Sequence, residues 1–557
     1  MEGSIVLLFF LVLFIVLLYK GMVEKKKTVE KLRLNFTENF GKANTRVLKN
    51  EELERISHYC KDRMTEDSID ELTWNDLDMD LIYEQMAYTR TSPGDDYLYY
   101  VLRNPVKEEE ILLVREQKIS CISKNQEIRI KLQVLLAQLG RIREYSLSDY
   151  MKYLMLEETK SNIKHYLADG LIVVSVFFMG YNIGIGWAIF FLMILYNIVT
   201  YFKDKAYLEP YLISLRYIFK LKDYAKEMMD ILPEEWKKEK EELQKIMVAM
   251  RKMEKNSFLV MSQGRLVGEG MELILDYLRM CFHLDIIKFN RMLLQLQKYE
   301  DELWSLHRIV GETDACIAVA EYRAFLPETV CPEFEHAKKI YAKDIYHPLI
   351  ENAVPNSLDM KNNILLTGSN ASGKSTFLKT LGVNILFAQT IHTCMAKSFE
   401  IPFCKLFTSM SLKDSLSLKE SYYMAEIKAI KRILDASERE EMIVCMVDEV
   451  LRGTNTIERI AASTQILKAM SGRNIMCLAA THDAELTKTL EKDYDNFHFE
   501  ESLVQGDVLF SYKLKPGRAK SSNAIDLLQN LGYDSKLIDE ARSMVAYFEE
   551  KGEWICV

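Results

Sequence analysis

Nine consecutive residues carry the first chemical signal: Gly368-Ser369-Asn370-Ala371-Ser372-Gly373-Lys374-Ser375-Thr376. They follow a short apolar run, Asn363 to Leu366, and open a stretch in which Leu378, Leu381, Ile385 and Ala388 recur at helical spacing. The pattern G-x-x-x-x-G-K-[ST] between a strand and a helix is suited to holding polyphosphate. Gly368 and Gly373 permit backbone angles and close approaches that a Cβ would block. Consecutive N–H groups of the loop can then point at phosphate oxygens, helped by the positive end of the following helix. Lys374 would reach the β- and γ-phosphates, and the Ser375 hydroxyl would hold Mg²⁺. The competing reading is a plain Gly/Ser turn, and the strand–loop–helix context argues against it.

A second apolar run, Met442 to Val447, ends in Asp448 and Glu449. Such a run reads as a buried parallel strand that delivers both carboxylates at its C-terminal edge. Asp448 is expected to support Mg²⁺ through water, and Glu449 to orient and activate an attacking water. A third strand, Ile475 to Ala480, ends in Thr481-His482-Asp483, where His482 could sense a γ-phosphate or simply close the strand end with a hydrogen bond. Ser421 begins a helical stretch through Met424, Ile427, Ile430 and Leu434, and a helix N-terminus is a ready anion site. Arg452-Gly453-Thr454-Asn455 comes directly after the acids. In ATPases of the ABC type, elements so placed meet a partner's nucleotide across a head-to-tail dimer, so Ser421 and Asn455 are candidates for contact in trans. The set predicts an α/β P-loop domain of ABC type taking ATP and Mg²⁺, with Glu449, His482 and Lys374 as its catalytic groups.

The remainder of the chain, which must position that set, is helix-rich: Gly and Pro are few, and Leu, Ile, Lys and Glu abound. Its 557 residues suffice for about three or four domains. A net charge of −9 provides no overall basic field for nucleic acid. Ten cysteines without a C-x-x-C pair, and nine histidines without H-E-x-x-H, speak against a zinc site or a disulfide framework. Gly3 to Tyr19 is uncharged and reads as an uncleaved membrane anchor, because no small-x-small cleavage site precedes the lysines beyond it. Lys20, Lys25, Lys26 and Lys27 put the N-terminus outside and the downstream chain in the cytoplasm.

Gly170 to Phe202 is again uncharged, with Gly180, Gly184 and Gly186 in its middle. It is long for one upright crossing and slightly short for two. A loop that uses cytoplasmic ATP requires an even number of crossings after Tyr19, which favours a tight hairpin turning at Gly180–Gly186. Its basic flanks, Lys160 and Lys164 against Lys203 and Lys205, suit two cytoplasmic ends. One long tilted helix or a buried soluble hairpin are the alternatives. Pro210 to Phe325 is expected to be largely helical, with one long stretch from Met271 to Val310 whose Leu273, Leu278, Phe282, Ile286 and Phe289 suit a bundle core. Val330-Cys331-Pro332 reads as a linker. Tyr346-His347-Pro348 reads as an extended segment whose histidine either packs in a turn or touches a nucleotide base.

Taken together, these residues resemble the MutS family of DNA mismatch repair ATPases. Thr367 to Thr376 resembles its phosphate loop, including Asn370, and Asp448-Glu449 with Leu451-Arg452-Gly453-Thr454-Asn455 its Walker B segment and adjoining loop. Ser421-Tyr422-Tyr423-Met424-Ala425-Glu426 resembles its signature helix, Ala480-Thr481-His482 its histidine switch, and Leu514-Lys515-Pro516-Gly517 with Ser521 to Ile525 its C-terminal segment. Tyr88 to Gly94, Leu102-Arg103-Asn104-Pro105 and Arg115-Glu116-Gln117 look like the start of the helical lever or core domain, and Pro210 to Ala324 like its return half. The resemblance implies a C-terminal domain like MutS domain V behind an all-α lever, working as a homodimer, with double-stranded DNA as a family partner.

Two departures bear on that partner. No room is seen before residue 70 for mismatch-reading and connector domains, and the apolar segment stands where the family carries its DNA-gripping clamp. Phe36-Thr37-Glu38 copies the F-x-E wedge of mismatch-repair members but sits behind an anchor without its domain, and is read as coincidence. The expected organisation is an anchor over 1–27, a helical cytosolic region over 28–165, a membrane hairpin over 166–203, and a lever over 204–330. The ATPase domain then occupies 331–520 and a dimerising helical segment 521–557. This describes a multi-pass cell-membrane protein with its ATPase domain in the cytoplasm. Rival readings are an ABC-type ATPase coupled to its own membrane segments, which lacks an L-S-G-G-Q run (Leu416-Ser417-Leu418-Lys419-Glu420 stands nearby), and a non-enzymatic scaffold, which would not need Glu449. A reporter fused after Lys27 is expected to stay cytoplasmic; its appearance outside the cell would overturn this topology.

Overall fold

Beyond residue 362, wholly apolar runs of five or six residues alternate with amphipathic stretches, and strands of that kind must be buried on both faces of a parallel sheet. A computed structural model describes residues 2–142, 144–158, 160–251, 269–369, 372–410, 422–439, 441–452, 454–504, 507–519, 525, 528, 529 and 532–555. Of these, only the backbone is described for 2–15, 17, 18, 21, 22, 269–275, 422, 501–504, 507–509 and 549. The chain forms two compact units. The first comprises Met1–Arg63, Gln85–Tyr100 and Gln117–Phe325; the second comprises Met64–Glu84, Val101–Glu116 and Leu326–Val557.

The first unit is helical. Helix Glu300–Phe325 runs through its core with Leu306, Ile309, Ile317 and Ala318 buried. Asp314 on this helix accepts hydrogen bonds from the backbone N–H groups of Arg90 and Thr91, each at 2.8 Å, and from Thr91 Oγ1 at 2.7 Å. Nearby, Asp95 is clasped by Arg46 at 2.7 Å and by Arg141 at 2.8 Å. Burial alone would raise its pKa, but those two guanidinium groups hold the carboxyl below the usual carboxylate range. Phe36 is buried with its ring 5.1 Å from the Arg90 guanidinium, so its role in this fold is packing.

Helices Ile163–Tyr181 and Ile183–Ile231 are long and apolar enough to cross a membrane. The break between them falls at Asn182, whose side chain accepts from the Ile185 N–H at 3.2 Å and so caps the second helix. Phe177, Tyr181, Ile183 and Phe191 point outward from the protein. At Gly186 the two arms come so close that a Cβ would lie 2.5 Å from the Met179 nitrogen. The second arm is one 49-residue helix, so the expected hairpin end at 203 is not marked by any break. The anchor expected over 1–27 has a helical backbone within Glu2–Glu38, but most of its side chains lie outside the described residues.

The expected long helix from Met271 to Val310 is divided among Glu269–Phe282, Leu284–Leu296 and Glu300–Phe325. The first break is at His283, whose φ of 46° lies in the left-handed region. Its buried ring bonds to the Asn197 carbonyl at 2.9 Å and His165 Nδ1 at 3.1 Å. Hydrophobic periodicity carries no record of such polar tethers.

Among the described residues the second unit has ten strands: β1 (Glu333–Phe334), β2 (Ile340–Ile345), β3 (Asn356–Met360), β4 (Asn363–Thr367), β5 (Ser398–Ile401), β6 (Lys405–Ser409), β7 (Ile443–Asp448), β8 (Ile475–Ala480), β9 (Tyr494–Val504) and β10 (Asp507–Pro516). A four-stranded sheet has the order β1-β5-β2-β3, and a six-stranded sheet the order β10-β9-β4-β8-β7-β6. In the larger sheet all pairs are parallel except β9 with β10. Every residue of β4 and β8 is buried. Strand order reverses around β4, so the C-terminal ends of β4, β7 and β8 frame a topological switch point.

Residues Met64–Glu84, expected within the helical region, dress the free edge of this sheet. Asp76 accepts from Thr408 Oγ1 at 2.7 Å and the Met410 N–H at 2.9 Å, and Thr73 Oγ1 accepts from the Thr408 N–H at 3.2 Å. An edge strand whose donors are met in this way cannot recruit a foreign strand.

The two arms of the hairpin give a paired test. Gly186→Ala is expected to destabilise the detergent-solubilised protein by about 1–3 kcal/mol through overpacking. Gly180→Ala, where nothing lies within 4 Å of the added Cβ, is expected to be neutral or mildly stabilising. Equal melting temperatures for the two variants would show that the arms do not pack at Gly186.

Candidate functional site

Strand β4 ends at Thr367, and the chain turns through Gly368 at φ 147° and Gly373 at φ 106° before helix Lys374–Thr390 begins. A Cβ at Gly368 would sit 2.8 Å from Ser372 Oγ, so a side chain there would collide with the loop itself. Lys374 is buried, and its Nζ donates to the carbonyls of Gly368 at 2.8 Å and Ser369 at 2.9 Å. The loop therefore curls over its own lysine. Ser372 is 1% exposed, and its hydroxyl has no hydrogen-bond partner among the described residues. Asn370 and Ala371 lie outside the described residues.

The end of β7 brings the acids to the same place. Ser375 Oγ donates to Asp448 Oδ2 at 2.5 Å. Burial pushes the Asp448 carboxyl above its usual range, with the Ser375 hydrogen bond working against it. Glu449 has φ 56° and Leu451 φ 60°, a sharp left-handed turn directly after the strand. The Glu449 carboxylate meets His482 Nε2 at 2.9 Å and Arg452 Nε at 2.8 Å. His482 Nε2 also stands 3.3 Å from Lys374 Nζ. One ring nitrogen cannot donate to the carboxylate and accept from the ammonium at once; the shorter contact favours donation to Glu449. That hydrogen bond is the main reason the Glu449 carboxyl lies below its usual range.

Lys374, Ser375, Asp448, Glu449 and His482 thus converge. With Ser369, Ser372, Gly373 and Thr376 they line a cavity of about 680 Å³, within the range of small-molecule sites. Gly368 is not among the lining residues and is tied to the site through its carbonyl, which accepts from Lys374. The Ser375 hydroxyl and Asp448 carboxylate are hard oxygen donors, a set suited to Mg²⁺ rather than to a softer metal. A loop of backbone donors, an ammonium and an orphan hydroxyl suits an anion. Asn455 is elsewhere: exposed, it caps helix Thr456–Ser471 by accepting from the Ile457 N–H at 2.9 Å. Ser421 lies outside the described residues.

Residues 364–549 match the family model of MutS domain V. Among curated proteins, a MutS mismatch repair protein of Aquifex pyrophilus is 32% identical over 271 residues, 46% of this chain and 31% of its own length. Its counterpart in Thermus thermophilus is 29% identical over 262 residues, 46% of this chain and 32% of its own. That of Leptospira interrogans is 29% identical over 279 residues. The chain spans about a third of the length of these relatives. It therefore carries a MutS-type domain V together with two helices suited to a membrane.

Two residues of this MutS-type site, Tyr512 and Glu426, were not singled out by sequence reasoning, and for His347 two readings stood open. Tyr512 lines the cavity from a bulged stretch of β10, where its φ of 50° and the register shift between Phe510 and Leu514 turn it inward. His347 is both packed and cavity-lining: burial lowers its pKa to about 4, and its Nδ1 accepts from the Leu349 N–H at 3.3 Å. Glu426, on helix Tyr422–Ala436, is buried and accepts the Arg452 N–H at 3.1 Å. It thereby ties that helix to the turn carrying Glu449. Tyr512 had no sequence signal, whereas Glu426 had its place in the stretch that resembles the MutS signature helix and His347 its place in the extended Tyr346-His347-Pro348 segment.

Removing this tie should be measurable. Glu426→Ala leaves the Arg452 N–H without its acceptor and is expected to cost about 1–3 kcal/mol. Hydrogen exchange at the 449–452 amides should accelerate; unchanged exchange would show that the turn is held by other contacts.

Proposed function

We propose that the protein is a membrane-anchored, MutS-like ATPase that binds ATP with Mg²⁺ in the cavity at the end of β4 and hydrolyses it within a head-to-tail homodimer. The observation that supports this best is the convergence of Lys374, Ser375, Asp448, Glu449 and His482 within hydrogen-bonding distance around one cavity. In this reading, Gly368 to Thr376 wrap the phosphates with their N–H groups, and Lys374 exchanges its two carbonyl partners for β- and γ-phosphate oxygens. Ser375 and Asp448 would hold Mg²⁺, which would supply charge neutralisation at those oxygens. Glu449, ionised because its carboxyl lies below the usual range, orients the attacking water and draws its proton. His482 reports the γ-phosphate to Glu449 through their shared hydrogen bond. Ser421 and Asn455 would complete the partner's site across the dimer.

Closure on ATP and reopening on hydrolysis would drive the helical unit, and through it the hairpin, in a multi-pass protein whose ATPase domain faces the cytoplasm. Double-stranded DNA takes second place to the membrane as a partner in this reading. The relatives' names speak of mismatch repair, but the matched family segment covers domain V, and the net charge of −9 offers no general basic field.

Lys374→Ala is expected to lower ATP turnover by about 10³-fold or more, in keeping with positioned phosphate clamps; unchanged turnover would place the chemistry elsewhere. Glu449→Gln should accumulate an ATP-bound dimer visible by sizing, and a monomer at saturating ATP would defeat the sandwich. Turnover measured with and without duplex DNA and lipid should respond to lipid, and mismatched duplex should be preferred little over matched. A clear, salt-robust preference for mismatches would restore the repair reading.

A further inference from the structure

A second cluster of chemically competent side chains lies in the MutS-type unit, at the other end of helix Lys374–Thr390 from Lys374. Glu116, Cys331 and His392 place a carboxylate oxygen, a thiol sulfur and an imidazole nitrogen all within 4.8 Å of one another. We propose that these three residues bind a borderline transition-metal ion of the zinc class, leaving at least one coordination position open.

The donor set chooses the metal. Thiolate and imidazole are poor ligands for Mg²⁺ or Ca²⁺ and good ones for Zn²⁺, and Cys, His and Glu are all ordinary zinc ligands. Ligand bonds of about 2.0–2.3 Å put neighbouring donors about 3.3–3.6 Å apart around a tetrahedral zinc. His392 Nδ1 stands 3.5 Å from Glu116 Oε2, at that spacing and beyond a good hydrogen bond.

The backbone holds all three donors in register. Val330 and Cys394 form an isolated antiparallel bridge, with N–H···O bonds of 2.9 and 2.8 Å, which seats Cys331 beside the loop that carries His392. Arg115 donates to the Thr390 carbonyl and brings the adjacent Glu116 to the same loop. His392 itself sits at φ 53°, in the left-handed region that non-glycine residues adopt uncommonly. Its ring is 4% exposed and stacks at 23° against Phe334, which in turn lies flat on Phe403. That aromatic wall would fix the imidazole's orientation and keep water from one side of the metal. Among the described cysteines only Cys331 is exposed, so the metal has a path in. The Cys394 thiol, two residues beyond His392, is buried and directed to the Asn384 carbonyl. The separation of the ligands along the chain explains why short-range spacing argued against a zinc site.

This inference is independent of the ATPase reading. The test uses the full-length protein in detergent, stripped with a chelator and titrated with Co²⁺ as a spectroscopic stand-in for Zn²⁺. One equivalent per chain should produce a thiolate-to-cobalt charge-transfer band that excess Mg²⁺ leaves intact and Zn²⁺ abolishes. Cys331→Ser should eliminate the band, and Glu116→Gln should weaken Co²⁺ binding by at least about tenfold; neither residue is fully buried, so both variants should fold. Lys374→Ala should leave the band unchanged. Absence of a thiolate band at stoichiometric Co²⁺, or a band that survives in Cys331→Ser, would overturn the assignment.

Discussion

Two carboxylates at the end of a strand whose preceding five residues are buried cannot stand there without compensation. Burial pushes Asp448 toward its neutral form, and the Ser375 hydroxyl opposes that push. Glu449 is held in its charged form by His482 and Arg452. Ser375 can answer Asp448 only because the Gly368–Gly373 turn ends where it does, and His482 can answer Glu449 only because β8 runs parallel beside β7. The loop, both strand ends and the left-handed turn at 449–451 are therefore one electrostatic arrangement. The sheet order β4-β8-β7 is the scaffold that makes it possible.

The legible part of this arrangement was that in which backbone geometry dictates residue type. Gly368 and Gly373 occupy positive φ, so their identity announces the turn, and the buried runs of β4, β7 and β8 announce themselves by having no charged residue before their ends. Residues whose role is set by distant partners were harder to see. Tyr512 enters the cavity because of a bulge, and nothing in its own neighbourhood of sequence marks the bulge. Thr73 and Asp76 satisfy the edge of a sheet more than three hundred residues later in the chain, as with Asp76 and Thr408. His283 ends a helix for the sake of polar contacts on another helix, where the apolar spacing runs on unbroken.

Both units solve the problem of buried polar groups with the same device, a single carboxylate that gathers several donors. Asp314 collects two backbone N–H groups and a hydroxyl, and Asp76 collects a hydroxyl and a backbone N–H. Asp314 fixes the irregular Arg90–Thr91 segment onto a helix, and Asp76 joins the end of its short helix to strand β6. Glu426 does the same for the turn after β7, so the left-handed backbone at Glu449 and Leu451 is tethered to a helix.

The helix Ile183–Ile231 has a mechanical consequence. At 1.5 Å per residue its 49 residues extend about 70 Å, more than twice the hydrocarbon thickness of a bilayer. Pro210 interrupts one hydrogen bond in its course without ending it. A rod of this kind resists torsion, so its exposed apolar half and its packed half share one azimuth. Rotation imposed on the buried face that carries Leu215, Ile218 and Leu221 is passed to Phe191 and Leu195 around the same axis, and Pro210, between the two, is where the missing hydrogen bond lets the rod bend.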